Sequence, residues 1–202
     1  MKVFVLDNGC NLTNYVNALK ECKCKVVFSK NIDKSKRCDA LVLTGGGDVL
    51  PYFYGKNKSI TDKVDVNLDI LEFTLIKNFV EKGKKILGIC KGMQILNVYF
   101  GGTLQKNIPY HYNKNYDLYH TIKIETPCFL NQLFSNKIIV NSAHKQAVKN
   151  LGENLSVLAK SNDDIIEVIK HNTLPIIATQ FHPERLAENF RKPFFDYFIN
   201  KF

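Results

Sequence analysis

A cysteine and a histidine–glutamate pair are the residues of this chain whose types and spacing could do chemistry. Cys90 lies between two glycines in the segment Gly-Ile-Cys-Lys-Gly-Met-Gln, residues 88–94, and His182 and Glu184 lie far downstream around a single proline. If the downstream segment is extended, residues i and i+2 face the same side, so Glu184 can hold the imidazole of His182 from behind. A cysteine, a base and an orienting acid are the groups that acyl transfer through a thioester requires.

The residues around Cys90 predict a sharp turn between a strand and a helix. An apolar run at 85–87 indicates a short buried strand, and the apolar spacing of residues 93–99 indicates a helix. A cysteine at such an elbow projects its sulfur from the sheet, and the N-terminus of the next helix favours the thiolate. The alternative is an inert, packed cysteine, which is the usual state of a buried thiol.

The rest of the chain predicts the elements that position these groups. Apolar runs at 3–6, 25–28 and 40–43 indicate strands, and amphipathic segments at 14–21 and 67–81 indicate helices. This alternation predicts an α/β fold with parallel strands at the centre of the sheet and helices on both faces. After Gly102, short apolar runs indicate further strands, several of them antiparallel, and a last helix at 190–202. Residues 105–121 form a long tyrosine-rich connection, and connections of that length are usually functional or disordered.

Composition sets the broad class of the protein. The chain has 202 residues, 45% of them apolar, and a net charge of +9 from 28 basic and 19 acidic residues. We expect a single domain spanning residues 1–202. No apolar run approaches the roughly 20 residues that cross a bilayer, and the N-terminus has no signal-peptide core, so we expect no membrane association and a cytoplasmic location. The lysines are scattered without a nucleic-acid-binding signature, which disfavours nucleic acid but leaves a phosphate-bearing small substrate open.

The cysteines do not predict a metal site or a disulfide framework. Six cysteines in a chain of this length and core content indicate reduced, mostly buried thiols. Cys22 and Cys24 have no second pair at a zinc-like spacing. We therefore expect no metal and no organic cofactor.

Four segments of the sequence match one known family in the expected order. They are residues 43–55 (with Gly-Gly-Gly-Asp-Val at 45–49), 88–94, 141–148 (Asn-Ser-Ala-His-Lys-Gln-Ala-Val) and 179–184 (Thr-Gln-Phe-His-Pro-Glu). Together they resemble the class I glutamine amidotransferases, and the first and third segments resemble the γ-glutamyl hydrolase branch. The resemblance implies a flavodoxin-like three-layer fold with a largely parallel central sheet. It also implies hydrolysis of a γ-glutamyl amide, with Cys90 as nucleophile, His182 as base and Glu184 as its orienting acid.

The resemblance also implies two main-chain donors for the oxyanion of each tetrahedral intermediate. One is the N–H of Lys91, which begins the helix beside the nucleophile, and the other is the N–H of Gly46 in the triple-glycine loop. Loss of one such donor typically costs about 3 kcal/mol in the transition state. The alternative for the loop is an ordinary turn after a strand. A phosphate-binding P-loop is excluded, because no Gly-Lys-Ser/Thr follows the glycines.

Six side chains are candidates for contact with the glutamyl group. Gln94 lies one helical turn beyond Cys90, although it could instead be a solvent-facing helix residue. Asn141, Ser142 and His144 follow an apolar strand, so we expect them to line the pocket, with a packed turn as the alternative for His144. His120 is a weaker candidate, as is the neighbouring His111.

The sequence leaves the leaving group open. The basic charge and the tyrosines and histidines of residues 110–120 favour a nucleotide, so γ-glutamyl-CDP-amidate, and with it capsule polysaccharide biosynthesis, is our leading interpretation. The alternative interpretation of those residues is a solvated loop with no role in binding. Alternatives are a γ-glutamyl-γ-aminobutyrate hydrolase, a glutaminase subunit that delivers ammonia to a synthase, and a catalytically inactive binding module. We expect a monomer or a homodimer.

Overall fold

The apolar runs of the chain form one large mixed sheet in the computed structural model, which describes residues 1–56, 64–125 and 127–202. The strands are, in chain order, β1 (Lys2–Leu6), β2 (Lys25–Ser29), β3 (Ala40–Leu43), β4 (Lys85–Ile89), β5 (Thr103–Lys106), β6 (Leu118–Ile124), β7 (Lys137–Ser142), β8 (Gln146–Asn150), β9 (Leu155–Ser161), β10 (Ile166–His171) and β11 (Ile176–Thr179). The α-helices are α1 (Thr13–Glu21), α2 (Val66–Val80), α3 (Lys91–Tyr99), α4 (Phe129–Leu133) and α5 (Glu188–Asp196).

The sheet has a parallel half and an antiparallel half. Its strand order is β2-β1-β3-β4-β11-β10-β9-β6-β7. The strands from β2 to β11 pair in parallel, and those from β11 to β7 pair antiparallel. Strands β3 and β11 are buried along their whole length, which is typical of parallel strands covered on both faces. The predicted parallel centre and antiparallel extension are therefore both confirmed.

Helices cover the two faces of the parallel half because its strands send alternate side chains to opposite sides. Val3 and Val5 of β1 join a buried cluster with α1 and α5, while Phe4 joins a second cluster with α2 and α3. Two elements were missed by the sequence reasoning: the small sheet formed by β5 and β8, and the short helix α4. The last helix begins at Glu188 and changes after Asp196 to a π-helical turn.

The parallel strands bring the candidate residues to one edge of the sheet. Strands β1, β3, β4 and β11 all end at the same edge, where the segments at 7–8, 44–48, 90–91 and 180–184 follow them. Ligands of open α/β sheets bind at this carboxyl edge. Within the described ranges, no helix is both long and apolar enough to cross a membrane.

Candidate active site

Cys90 occupies a strained elbow between β4 and α3. Its backbone has φ 54° and ψ −104°, a left-handed conformation that is rare for a residue with a side chain. The flanking glycines are required by close packing. A Cβ on Gly92 would lie 2.3 Å from the carbonyl oxygen of Leu43, and a Cβ on Gly88 would lie 2.6 Å from Leu96 Cδ1. The two glycines thus let α3 pack directly against β3 and β4, which fixes the direction of the cysteine.

His182 stands between the Cys90 sulfur and the Glu184 carboxylate. Its Nδ1 lies 2.7 Å from Glu184 Oε1, and both side chains are buried. Burial lowers the pKa of His182, but the charges of Glu184 and Cys90 and hydrogen bonds to both outweigh burial and raise it to about 10. The ring is therefore held as a cation beside the sulfur at neutral pH, which is the arrangement of an activated cysteine nucleophile.

The geometry of the His182–Glu184 contact differs from the extended segment assumed above. Pro183–Arg185 forms a single 3₁₀ turn, and His182 precedes it. The proline at its first position favours this turn, because its fixed φ suits a helix start. The two side chains meet because the turn curls the carboxylate back under the imidazole, so the expected contact exists but the expected cause was wrong.

Asn141 lies behind the base and does not line the pocket as expected. Its side chain is fully buried, and both ends of its amide bond the main chain of His182. Asn141 Nδ2 donates to the carbonyl of His182 at 3.0 Å, and the N–H of His182 donates to Asn141 Oδ1 at 2.8 Å. These two hydrogen bonds attach the end of β7 to the segment that carries His182.

The triple-glycine loop and the first turn of α3 present main-chain donors beside Cys90. The first N–H groups of a helix have no intrahelical acceptor, so the N–H of Lys91 is available to a ligand. In the loop, the N–H of Gly45 donates to the hydroxyl of Tyr15 at 3.0 Å, while that of Gly46 has no acceptor among the described residues. A Cβ on Gly46 would lie 3.0 Å from the Lys91 side chain, so loop and helix are in close contact. This arrangement fits the two expected oxyanion donors.

The side chain of Lys91 makes a buried ion cluster that the sequence reasoning missed. Its Nζ lies 2.7 Å from Asp69 Oδ1 and 2.5 Å from Glu72 Oε2, and all three side chains are at most 2% exposed. Burial opposes the charged form of Lys91, but the two carboxylates outweigh it and raise its pKa, so the amine stays protonated. Asp69 Oδ2 also accepts the N–H of Leu50 at 2.8 Å. The cluster therefore fastens α2 to the elbow and to the glycine loop.

Two cavities meet at Cys90. The smaller, about 80 Å³, is lined on one side by Gly46, Asp48 and Gln94 and on the other by Tyr112 and residues 143–146. The larger, about 230 Å³, is lined by residues 10–11, Tyr15, His182 and Arg185. A more voluminous hollow beside α5 lies away from these groups and holds neither the cysteine nor the base. Cys90 thus lines two distinct spaces.

The remaining candidates divide between the smaller cavity and a cluster behind it. Gln94 is buried and donates to the carbonyl of Gln146 at 2.8 Å, so the solvent-facing alternative was wrong. His144 lines the cavity and is also packed in its turn. Ser142 and His120 do not line either cavity; they lie beside His111 and Glu167.

The residues that sequence reasoning missed had little or no local signal. Tyr15, which lies 3.3 Å from His182 Nδ1, appears only as an apolar position of α1. Arg185, which pairs with Asp117 at 2.8 Å, follows directly after Glu184 and could have been noted there. Asp69 and Glu72 are spaced i, i+3 on a largely apolar helix, and that pattern could have indicated buried acids in need of a cation.

The chain is an α/β protein with a cysteine, a histidine and a glutamate at the carboxyl edge of its sheet, and comparison with known proteins identifies its family. The profile of the Peptidase C26 family matches residues 28–184. A glutamine amidotransferase-like protein of Lactococcus lactis is 37% identical over 174 residues, covering 80% of this chain and 73% of the relative. The chain therefore belongs to the Peptidase C26 family of class I glutamine amidotransferase-like hydrolases.

Further comparisons agree with this assignment. One component of the glutamine-hydrolysing GMP synthase of Pyrococcus abyssi is 36% identical over 110 residues, covering 54% of this chain and 56% of that protein. The crystal structure of a glutamine amidotransferase from Thermotoga maritima superposes with a TM-score of 0.71 at 16% identity, covering 98% of this chain and 82% of that one. The predicted flavodoxin-like amidotransferase fold is thus confirmed.

Proposed function

We propose that this protein hydrolyses a γ-glutamyl amide through a thioester on Cys90 and releases glutamate. The observation that carries the proposal is the buried His182–Glu184 pair placed against a cysteine at a strained elbow. An inert structural cysteine needs neither a strained backbone nor a cationic neighbour. Intact nucleophile, base and acid also argue against an inactive binding module.

The reaction proceeds in two balanced halves. The Cys90 thiolate attacks the γ-carbonyl carbon, and the N–H groups of Lys91 and Gly46 stabilise the oxyanion that forms. His182 gives its proton to the departing nitrogen, so that the C–N bond breaks and an amine leaves with a glutamyl thioester remaining. Water then attacks the thioester while His182 accepts a proton from it. The C–S bond breaks, glutamate leaves, and the thiolate–imidazolium pair is restored.

The two cavities support a separate place for each of the two parts of the substrate. The smaller one holds polar groups suited to a glutamyl head, and we place the amino and carboxylate groups there beside Asp48, Gln94 and Lys145. The larger one receives the leaving group beside Asn11 and Arg185. Glu184 holds the tautomer and orientation of His182 between the two spaces.

The test uses the purified chain by itself. Wild type incubated with substituted γ-glutamyl amides should release amine and glutamate in equal amounts, and Cys90→Ala should release neither while keeping the fold. A glutamine-like chloroketone should label Cys90 in wild type. Comparable hydrolysis by Cys90→Ala would overturn the thioester mechanism, whereas failure of labelling would favour a binding module.

A glutaminase component of a larger synthase is the second candidate function, because a matching relative is one component of a GMP synthase. Such a protein would hydrolyse glutamine and pass ammonia to a partner. Vigorous turnover of substituted amides without any partner would exclude it. Activity restricted to glutamine, or dependent on an added synthase, would favour it.

The leaving group is the finer part of the proposal. The connection between β5 and β6, residues 107–117, contains three tyrosines. These tyrosines and the positive charge of the chain support a nucleotide-linked amide, with γ-glutamyl-CDP-amidate as the leading candidate. Tyr112 lines the glutamyl cavity with Lys145 against its ring, whereas Tyr110 and Tyr116 are exposed. The guanidinium of Arg185 in the larger cavity suits the carboxylate of γ-aminobutyrate instead. Comparison of kcat/KM for the two amides decides the matter, and a nucleotide preference below about tenfold, or about 1.4 kcal/mol, would remove the case for nucleotide recognition.

A further inference from the structure

A second group of titratable side chains lies behind the glutamyl cavity, centred on the carboxylate of Glu167. Glu167 is 0% exposed, and neither of its oxygens accepts a hydrogen bond from any residue that the structure describes. Three imidazoles surround it. Its Oε1 lies 3.2 Å from His120 Nε2 and 3.7 Å from both His111 Nδ1 and His144 Nε2. An ionised carboxylate in dry surroundings is costly unless a positive group compensates it.

The hydrogen bonds of the imidazoles determine which ring nitrogens carry protons. His144 Nδ1 lies 2.9 Å from the carbonyl of Gln146, which can only accept, so the proton is on Nδ1 and Nε2 is a lone pair. His111 Nε2 lies 3.0 Å from the carboxylate of Asp163, so the proton is on Nε2 and Nδ1 is a lone pair. The two unprotonated nitrogens face each other at 3.0 Å.

The two lone pairs face each other with no donor between them among the described residues. The hydroxyl of Ser142 lies 3.1 Å from His111 Nδ1, but it donates to the carbonyl of His111 at 3.0 Å. The third ring, His120, is buried, and its Nε2 lies 3.2 Å from Glu167 Oε1, so it can offer the carboxylate a proton or, with a cation between them, a lone pair. Electron-rich atoms at this spacing require either an added proton or a cation.

A proton placed between His111 Nδ1 and His144 Nε2 would satisfy those two nitrogens, but it would lie on the line between the rings and not on the carboxylate of Glu167. A cation among His111, His120 and Glu167 would compensate the buried carboxylate directly.

The spacing of the donor atoms fits a small tetrahedral cation. Metal–nitrogen and metal–oxygen bonds of about 2.0–2.1 Å in a tetrahedron separate neighbouring ligand atoms by roughly 3.3 Å. Glu167 Oε1 lies 3.2 Å from His120 Nε2 and 3.7 Å from His111 Nδ1. One ligand atom from each of His111, His120 and Glu167 falls within 4.8 Å of the others. Imidazole and carboxylate ligands without thiolate suit zinc among the common divalent metals.

We propose that His111, His120 and Glu167 form a zinc-type divalent metal site, with the fourth position left to water. The Asp163 carboxylate orients the His111 ring through its second nitrogen, as the outer partners of metal-bound histidines do. The ligands come from β6, β10 and the connection at 107–117, so the site would fasten that connection to the sheet. His144 Nε2, 3.0 Å from His111 Nδ1, packs beside the site.

The test is metal binding by the full chain, which is independent of any hydrolytic activity. Protein stripped with a chelator is titrated with Co²⁺, whose visible absorption reports tetrahedral coordination, and Zn²⁺ is then added in competition. We expect one equivalent of Co²⁺ to bind with tetrahedral bands that Zn²⁺ abolishes. Absence of binding at excess metal, with the fold intact by circular dichroism, would show a proton-only cluster and overturn the proposal.

Substitutions locate the site. Glu167→Gln and His120→Gln should each weaken Co²⁺ binding by at least about tenfold. His171→Gln is the matched control, since His171 is a buried histidine at the end of the same strand β10 but bonds only the turn that follows it. Cys90→Ala should leave binding unchanged. If Glu167→Gln fails to fold, His120→Gln decides. Retention of full affinity in the folded variants, or loss in Cys90→Ala, would place the metal elsewhere and overturn the assignment.

Discussion

Replacement of Lys91 by methionine tests the buried ion cluster beneath the elbow. The substitution keeps the length of the side chain and the main-chain N–H proposed for the oxyanion, and it removes only the charge. Asp69 and Glu72 then face each other in a dry site without their cation, which lay 2.7 and 2.5 Å away. Removing one partner of a buried ion pair costs about 3–5 kcal/mol, because an uncompensated charge stays buried. We expect Lys91→Met to lose that much free energy of unfolding at pH 7.

If this loss of stability arises from charge, it should depend on pH. Burial raises the pKa of Glu72 to about 7 even with Lys91 opposing it. Without Lys91 the folded pKa must be higher still, while the unfolded carboxyl keeps its ordinary value. An acid whose folded pKa is raised gains stability as pH falls through that pKa. Wild-type Glu72 gains in the same way below about pH 7, so the deficit of Lys91→Met should be largest at alkaline pH, shrink as pH falls towards 7 and change little below it. Urea unfolding at alkaline, neutral and mildly acidic pH measures this change.

Two controls separate charge from packing. The triple variant Lys91→Met, Asp69→Asn, Glu72→Gln is neutral and of similar volume, so most of the lost free energy should return. Lys77→Met, on the exposed face of α2 with Glu81 3.9 Å away, should stay within about 0.5 kcal/mol of wild type. A Lys91→Met protein within about 1 kcal/mol of wild type at pH 7, or a triple variant no more stable than the single one, would refute the reasoning.

Three further substitutions probe the positioning of the reactive groups. Glu184→Gln keeps the shape of the acid but loses its charge, so kcat should fall by roughly 10²–10⁴-fold with little change in KM, and an unchanged kcat in a steady-state assay would remove Glu184 from the mechanism. Asn141→Leu leaves the N–H of His182 buried without its partner, while the carbonyl still accepts the N–H of Arg185, so the change should cost about 1–3 kcal/mol in urea unfolding and also lower kcat; full activity in the folded variant would show that His182 needs no such support. Gly92→Ala places a methyl 2.3 Å from the Leu43 carbonyl and should lower stability by at least about 1–3 kcal/mol, so an unchanged Tm would contradict the close packing of α3.

The fold was largely predictable because its information is local. Each buried strand of the parallel half is a short apolar run, and each covering helix repeats its apolar residues with helical spacing. The glycines around Cys90 were also informative locally, because only glycine fits where the backbones of a helix and a strand are in close contact. The strands β5 and β8 were missed because each pairs only with the other and alternation over four or five residues is a weak signal.

The candidate site was predictable only where its parts are close in sequence. The His182–Glu184 contact could be found from two neighbouring positions, even though the backbone between them is a turn instead of a strand. The role of the Lys91 side chain could not, because its partners lie on another helix about twenty residues earlier. The three histidines around Glu167 come from three separate segments and Glu167 from a fourth, so no ligand spacing exists in the sequence to reveal them.

Gln146 connects these separate parts of the site. Its side-chain oxygen accepts the N–H of Val49 at 3.0 Å, which braces the glycine loop, and its carbonyl accepts both Gln94 Nε2 at 2.8 Å and His144 Nδ1 at 2.9 Å. Gln94 lies on the helix that begins beside Cys90, and His144 belongs to the cluster around Glu167. Because one peptide oxygen serves both donors, the orientation of the His144 ring and that of the Gln94 amide are mechanically linked. The polar groups behind the glutamyl cavity thus help to set the shape of that cavity, although they are not among the groups proposed to react.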